Sequence, residues 1–228
     1  KNNISNIDFI TLTASGGPFL NTPIENFKNI KPKDAIKHPV WKMGKKISVD
    51  SATMFNKALE IIEASVLFNI RYDKINVTVH PEHIIHGLVH YKDGSILANL
   101  GFPDMITPLS VAINWPTRLN LNLKKLSLHK IGKLSFFEPN FEKFPALKLG
   151  WEVLQNPYFS PIVLNASNEI AVDAFIKNQV KFVDIYSIVY ETLNFCNPFI
   201  PKSVEDILEI DKMARINSLD LIRRKFNK

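Results

Sequence analysis

Four successive stretches in the second half of the chain carry apolar residues at spacings of three and four: Leu147 to Leu154, Ile162 to Lys177, Phe182 to Phe195 and Val204 to Phe226. That period lines up one face of an α-helix and scatters across both faces of a strand. The region after about residue 140 is therefore expected to fold as packed helices. The last stretch opens with Ser203 followed by Asp206, the spacing of a capping box.

The first half has a different texture. Ile7 to Thr13 alternates and is rich in β-branched and aromatic residues, which predicts a strand running into the turn Ala14-Ser15-Gly16-Gly17-Pro18. Ile75 to His80 and Leu88 to Leu100 also read as strands, the latter folded into a hairpin at Lys92-Asp93-Gly94-Ser95. Ser51 to Asn69 predicts a helix capped by Asp50 or Ser51. Pro23, Pro32 and Pro39 interrupt the segment Leu20 to Lys46, and its end, His38 to Lys46, has no period and is expected to be a mobile loop. Asn99 to Pro108 reads as loop or strand end before a short helix preceding Trp115-Pro116. The expected fold is an α/β (α+β) domain with a mixed sheet over about 1-140, including a lid loop at about 36-46, followed by an all-α helical bundle over 141-228.

Composition removes several classes. With 46% hydrophobic and 22% charged residues, the chain is neither disordered nor collagen-like. Cys196 stands alone, which excludes a disulfide framework and a thiolate zinc site. No apolar run reaches the roughly 18 residues of a membrane-spanning helix. The start, Lys1-Asn2-Asn3, has neither a methionine nor a secretory layout, so it is not expected to be the first residue of the gene. Lys+Arg 28 against Asp+Glu 22 gives a net charge of +6, which favours anionic partners. Only five of those basic residues are Arg, so a solvated lysine surface is favoured. A basic nucleic-acid-binding module, motivated by Lys28 to Lys46, is the alternative. Only 8 glycines occur, with no G-x-G-x-x-G or G-x-x-x-x-G-K-[ST], so a complete dinucleotide-binding unit is absent from this sequence.

The chemistry-bearing residues fall in two stretches. Ser15-Gly16-Gly17 at a strand end offers unobstructed backbone N–H groups and one hydroxyl, a donor set for an oxyanion. Ser51, read as the start of a helix, adds a hydroxyl at the positive end of the macrodipole, with Asn56 and Lys57 on the same polar stripe. Together they make a monophosphate cradle. Glu60 lies one turn beyond Asn56, about 6 Å along the axis, where it could serve a metal or a proton transfer. The competing reading is an i,i+3 ion pair between Lys57 and Glu60 on a wet face. His80, His83, His86 and His90 are crowded, but Pro81 and Gly87 break any single helix that would align them, so one is expected to line a pocket and the others to be ordinary residues. Trp41 and Met43 in the lysine-rich loop fit the underside of a closing lid, or equally a loop docked on the core. Asn165 to Glu169 is read as opening a helix, where polar residues serve as caps.

These residues resemble a known family. Leu12 to Phe19, the long block His38 to Glu60, and Gly101-Phe102-Pro103-Asp104-Met105 closely resemble 1-deoxy-D-xylulose 5-phosphate reductoisomerases, and the similarity runs in register through Asn165 to Glu169 into the C-terminal helices. The resemblance implies a metal-dependent rearrangement of the sugar phosphate followed by hydride transfer from NADPH, giving 2-C-methyl-D-erythritol 4-phosphate in non-mevalonate isoprenoid biosynthesis. By similarity, Ser15, Ser51, Asn56 and Lys57 hold the substrate phosphate with His38 assisting, Trp41 and Met43 cover the substrate, and His86 lines the pocket. Glu60 is a ligand of Mg2+ or Mn2+, and Pro103 and Met105 border the nicotinamide. The family's Asp-Ser-Glu motif and its NADPH-binding domain, both upstream of the Ser-Gly-Gly turn, are not in this sequence. Because one carboxylate cannot hold a hard octahedral ion against water, this chain alone is expected to bind divalent metal poorly and not to turn over. The resemblance also implies a homodimer, no nucleic acid and no membrane partner, and a plastid-type organelle or the bacterial cytoplasm.

Overall fold

The computed structural model describes residues 4–36 and 44–226. In chain order the strands are β1 (Ile7–Ala14), β2 (Ile75–Val79), β3 (Ile85–Tyr91) and β4 (Ile96–Leu100). The helices are α1 (Pro32–Ala35), α2 (Lys45–Thr53), α3 (Phe55–Phe68), α4 (Ile106–Asn114), α5 (Leu128–Ile131), α6 (Ala146–Glu152), α7 (Ser160–Ile176), α8 (Asp184–Phe195) and α9 (Val204–Leu221). The expected sheet-bearing α/β part and the helical part are both present. Packing groups the chain into two compact units, each discontinuous in sequence: residues up to Ser15 with Asn76–Glu138, and Gly16–Ile75 with the residues from Pro139 onward. Residues 16–75 thus pack with the C-terminal helices, although a division near 140 follows the order of the chain.

In the strand-bearing unit the sheet order is β2-β1-β3-β4, with β1/β3 and β3/β4 antiparallel. The β3–β4 hairpin turns where the sequence predicts it. Gly94 takes φ 86, a left-handed value that costs glycine no Cβ clash, and Asp93 accepts from the Ser95 N–H at 2.9 Å. Three of the crowded histidines are tied down in this unit. His80 is 1% exposed; its Nε2 accepts the Ile84 N–H at 3.1 Å, which leaves Nδ1 to donate to the Ser135 carbonyl at 2.9 Å. His90 stacks on Phe9 and bonds Thr11 at 3.0 Å, and His86 bonds the Gly101 carbonyl at 3.2 Å.

In the helical unit, α7 lies at the centre. Val163, Leu164, Ala166, Ala171, Val172 and Phe175 are all buried, so apolar residues girdle the helix instead of forming a single stripe. It packs against α8, α9 and α2. Asn165 to Glu169 therefore lie inside α7, not at its start as the cap reading expected, because the helix begins at Ser160 with Pro161 in its first turn. Phe19, Phe27, Phe144, Phe175 and Phe182 form a second, aromatic cluster with ring centroids 5.4 to 6.1 Å apart. The Ser203–Asp206 capping box opens α9 as expected.

The helix expected over Ser51 to Asn69 is two helices. The first, α2, starts at Lys45, so the last residues of the expected lid loop are helical, and positions 37–43 of that loop lie outside the described residues. Met54, at φ 66 and ψ 10, takes a left-handed turn that ends α2 and restarts the chain as α3. Only the first part of α3 is covered on most sides, since Val66, Leu67 and Phe68 near its end are exposed.

Helices α3 and α6 meet at a glycine. A Cβ on Gly150 would come within 2.8 Å of the Ala58 carbonyl oxygen and 2.9 Å of the Ala58 Cα. Gly150→Ala is expected to lower stability by about 1–3 kcal/mol through overpacking, read as a fall in the urea midpoint. An unchanged midpoint would show that α3 and α6 do not approach this closely.

Candidate functional site

The Ser-Gly-Gly turn bends because Gly16 and Gly17 take successive left-handed values, φ 82 and 65. A Cβ at Gly17 would lie 2.6 Å from the Ser51 carbonyl oxygen and 3.1 Å from the Ala52 Cα. No other residue type fits there without moving a backbone. The turn is thus pressed directly onto the last turn of α2, where Ser51 sits half-buried. Ser15, two residues earlier along the chain, ends the strand-bearing unit.

Ser51 is not a helix cap, and neither is Asp50. Both lie within α2, whose N-cap is Gly44, and Asp50 is buried at 2% exposure. The sequence reading missed this because the apolar pattern runs unbroken through Met54, and no proline or glycine marks the left-handed turn. Met54 does cap a helix start, four residues beyond Asp50 and three beyond Ser51. The N–H groups of the first turn of α3 have no partners within the helix, and Asn56 and Lys57 stand in that turn.

Asn56, Lys57 and Glu60 come together. Glu60 accepts from Asn56 Nδ2 through Oε1 at 2.7 Å and from Lys57 Nζ through Oε2 at 2.5 Å. The i,i+3 ion pair of the competing reading therefore exists, but not on a wet face. The Lys57 side chain is 10% exposed and that of Glu60 34%. A pair so placed is screened less than a surface pair. One turn on, burial and the charge of Glu60 push the Glu63 carboxyl above its usual range.

Behind α2, Asp50 accepts from Asn168 Nδ2 of α7 at 2.9 Å and pairs with Lys46 at 2.6 Å. Burial pushes the Asp50 carboxyl up, opposed by the charge and hydrogen bond of Lys46 and the amide of Asn168. Sequence reasoning took Asp50 for a cap and missed this pair. No local signal marked it, since Asp50 lies between Ser48 and Ser51, and Asn168 lies in the polar run Asn165 to Glu169.

In the strand-bearing unit His86 is exposed on β3, Pro103 is half-exposed, and Met105 is 56% exposed just before α4. His38, Trp41 and Met43 lie outside the described residues. For a divalent ion, Glu60 supplies one hard oxygen donor, and no group of three or more His, Cys, Asp or Glu lies together among the described residues. The residues described do not by themselves fit an octahedral magnesium or manganese site.

Comparisons with known proteins give one family throughout. Residues 100–217 match the DXP reductoisomerase C-terminal domain, and residues 1–68 match the 1-deoxy-D-xylulose 5-phosphate reductoisomerase C-terminal domain. The chain is 49% identical over 209 residues to the 1-deoxy-D-xylulose 5-phosphate reductoisomerase of Prosthecochloris aestuarii, covering 92% of this chain and 55% of that protein. To that of a Wolbachia from Drosophila simulans it is 51% identical over 222 residues, covering 96% and 57%. Among solved structures it is similar to the Zymomonas mobilis enzyme in complex with NADPH, with a TM-score of 0.91, 43% identity and coverage of 97% and 57%. It is likewise similar, at 0.91 and 40%, to a DOX-P reductoisomerase in complex with NADPH, fosmidomycin and magnesium, covering 97% of this chain and 57% of that one. The chain therefore spans little more than half the length of these relatives. The nucleic-acid-binding alternative finds no support in these comparisons.

Gly17→Ala should strain the turn. A side chain at φ 65 beside a backbone oxygen is expected to cost about 1–3 kcal/mol, read by denaturation, and to loosen any anion held by the first turn of α3. Full stability in the variant would contradict the close approach of the turn to Ser51.

Proposed function

The chain belongs to the DXP reductoisomerase family, and we propose that it forms the catalytic and C-terminal portions, about 1-140 and 141-228, of an enzyme converting 1-deoxy-D-xylulose 5-phosphate to 2-C-methyl-D-erythritol 4-phosphate with NADPH and Mg2+ or Mn2+. The observation that carries this reading is the first turn of α3. Lys57 and Asn56 stand there at the helix start, with Glu60 one turn on and Gly17 seated at Ser51.

In this reading Ser51, Asn56 and Lys57 bind the substrate phosphate, and Ser15 and His38 contribute to the same role. Oriented N–H groups and a desolvated ammonium favour a dianion at a helix start. The phosphate takes Lys57 from Glu60 and so frees the carboxylate as a metal ligand. Trp41 and Met43 exclude water above the substrate, His86 lines its pocket, and Pro103 and Met105 border the nicotinamide. A divalent ion supplies Lewis-acid polarisation when bound. Its remaining ligands, like the NADPH-binding domain, belong to segments outside this sequence, and we do not expect residues 1–228 alone to turn over. Holding the remote phosphate positions the reacting carbons, so binding energy far from the chemistry contributes to rate.

In the enzyme with its upstream segments, Lys57→Ala is expected to raise the KM for the phosphorylated substrate by roughly 10- to 100-fold, the worth of a charge-assisted hydrogen bond. Glu60→Gln should instead lose most kcat through weakened metal affinity. A substrate analogue without phosphate should barely distinguish wild type from Lys57→Ala. If it separates them as sharply as the natural substrate does, the phosphate assignment is wrong.

A homodimer is part of the proposal. All five residues of β4 are exposed at the sheet edge, α4 buries none of its residues, and Leu97, Ile106 and Ile113 present apolar surface. An open apolar edge of this kind calls for a covering partner. Leu97→Glu is expected to shift the protein towards monomer in equilibrium sedimentation, and an unchanged mass would remove β4 from the interface. The relatives named above are bacterial, and no helix among the described residues is long and apolar enough to cross a membrane. The bacterial cytoplasm or a plastid-type organelle accompanies this reading as its proposed location.

A further inference from the structure

Asn168 and Asp50 form a buried polar pair that phosphate chemistry does not directly use. Asn168 is 0% exposed and Asp50 2%. Lys46 neutralises Asp50 from one turn back on the same helix, so that ion pair cannot set where α2 lies against the rest of the unit. The Asn168 Nδ2–Asp50 Oδ1 bond can, because it joins α2 to α7. Its amide orientation follows from its partner, since only the nitrogen side can donate to a carboxylate. The other side, Asn168 Oδ1, is buried without a hydrogen-bond partner among the described residues.

For stability alone this arrangement is poor. A buried carboxylate and an unsatisfied buried carbonyl both carry desolvation costs, and an apolar pair of similar volume would avoid them. What the bond supplies is a defined position. Asp50 directly precedes Ser51, whose carbonyl meets Gly17, and Thr53 then leads through Met54 into the turn bearing Asn56 and Lys57. On its other side α7 is tied to α9, because Glu169 accepts from Arg215, which also holds Asp211.

We propose that Asn168 is a positioning residue for the phosphate-binding turn, acting through Asp50 on the placement of Ser51 and the start of α3. This rests on the reading of Ser51, Asn56 and Lys57 as phosphate ligands.

The test separates position from stability. In the intact protein, the double variant Asp50→Leu/Asn168→Leu removes the polar pair and fills its space with apolar groups, while Lys46, more than a third exposed, turns to water. Its melting temperature is expected to equal or exceed that of the parent, while its affinity for inorganic phosphate, titrated by calorimetry, falls about tenfold. Adding Ser51→Ala to it should weaken binding little further, because the serine is already misplaced. Parent-like phosphate affinity in the double variant overturns the inference and leaves the phosphate site standing. No phosphate binding by the parent overturns the site itself, and the inference with it. Should the double variant fail to fold, Asn168→Ala in the same titration decides, with a tenfold loss supporting the proposal and parent-like affinity overturning it.

Discussion

A single left-handed residue, Met54, governs the geometry of the candidate site. A non-glycine residue at φ 66 costs roughly 1–2 kcal/mol against a helical one. Here the turn is held by packing, since Met54 is 3% exposed and its neighbours Thr53 and Phe55 are buried as well. Had the chain continued as one helix, the N–H groups around residues 55–57 would be spent on carbonyls a turn earlier. Breaking it instead places a second helix start in the middle of an apolar stretch. Asn56 and Lys57 lie beside it, and Glu60 projects from the following turn.

The electrostatics of that turn follow from burial. Lys57 is too enclosed to remain an isolated ammonium, and Glu60 pairs with it from the same helix while also accepting from Asn56. A site that is internally neutral before its ligand arrives avoids holding a bare charge in a poorly solvated place. In the proposed reading the phosphate must compete with this existing bond, which trades some affinity for discrimination in favour of a dianion over weaker anions. Asp50 meets the same constraint with Lys46 and Asn168.

Much of this could be read from the sequence, and what could not has identifiable causes. The hairpin at Asp93-Gly94, the Ser203 cap and the four C-terminal helices are encoded locally, by turn chemistry and by period. The grouping of Asn56, Lys57 and Glu60 was legible because helical spacing alone brings them together. The break at Met54 was not, since no local residue preference marks it and only tertiary packing can hold it. The interior position of Asn165 to Glu169 was hidden for a related reason. A polar run looks like a cap unless its partners, Asp50 and Arg215, are known to sit opposite. The close seat of Gly17 on Ser51 was half legible, as a glycine where backbone must be bare, without the identity of what approaches it.

The discontinuous helical unit also constrains how the polypeptide can be made. Helices α2 and α3 leave the ribosome long before α6 and α7, yet Ala58 waits for Gly150 and Asp50 for Asn168, 118 positions downstream. During synthesis the nascent chain must therefore carry α3, not yet covered by α6 and α7, through the making of β2, β3 and β4. Such late, long-range closure slows assembly and exposes intermediates to aggregation. Chaperone demand should accordingly be greatest before the final helices emerge.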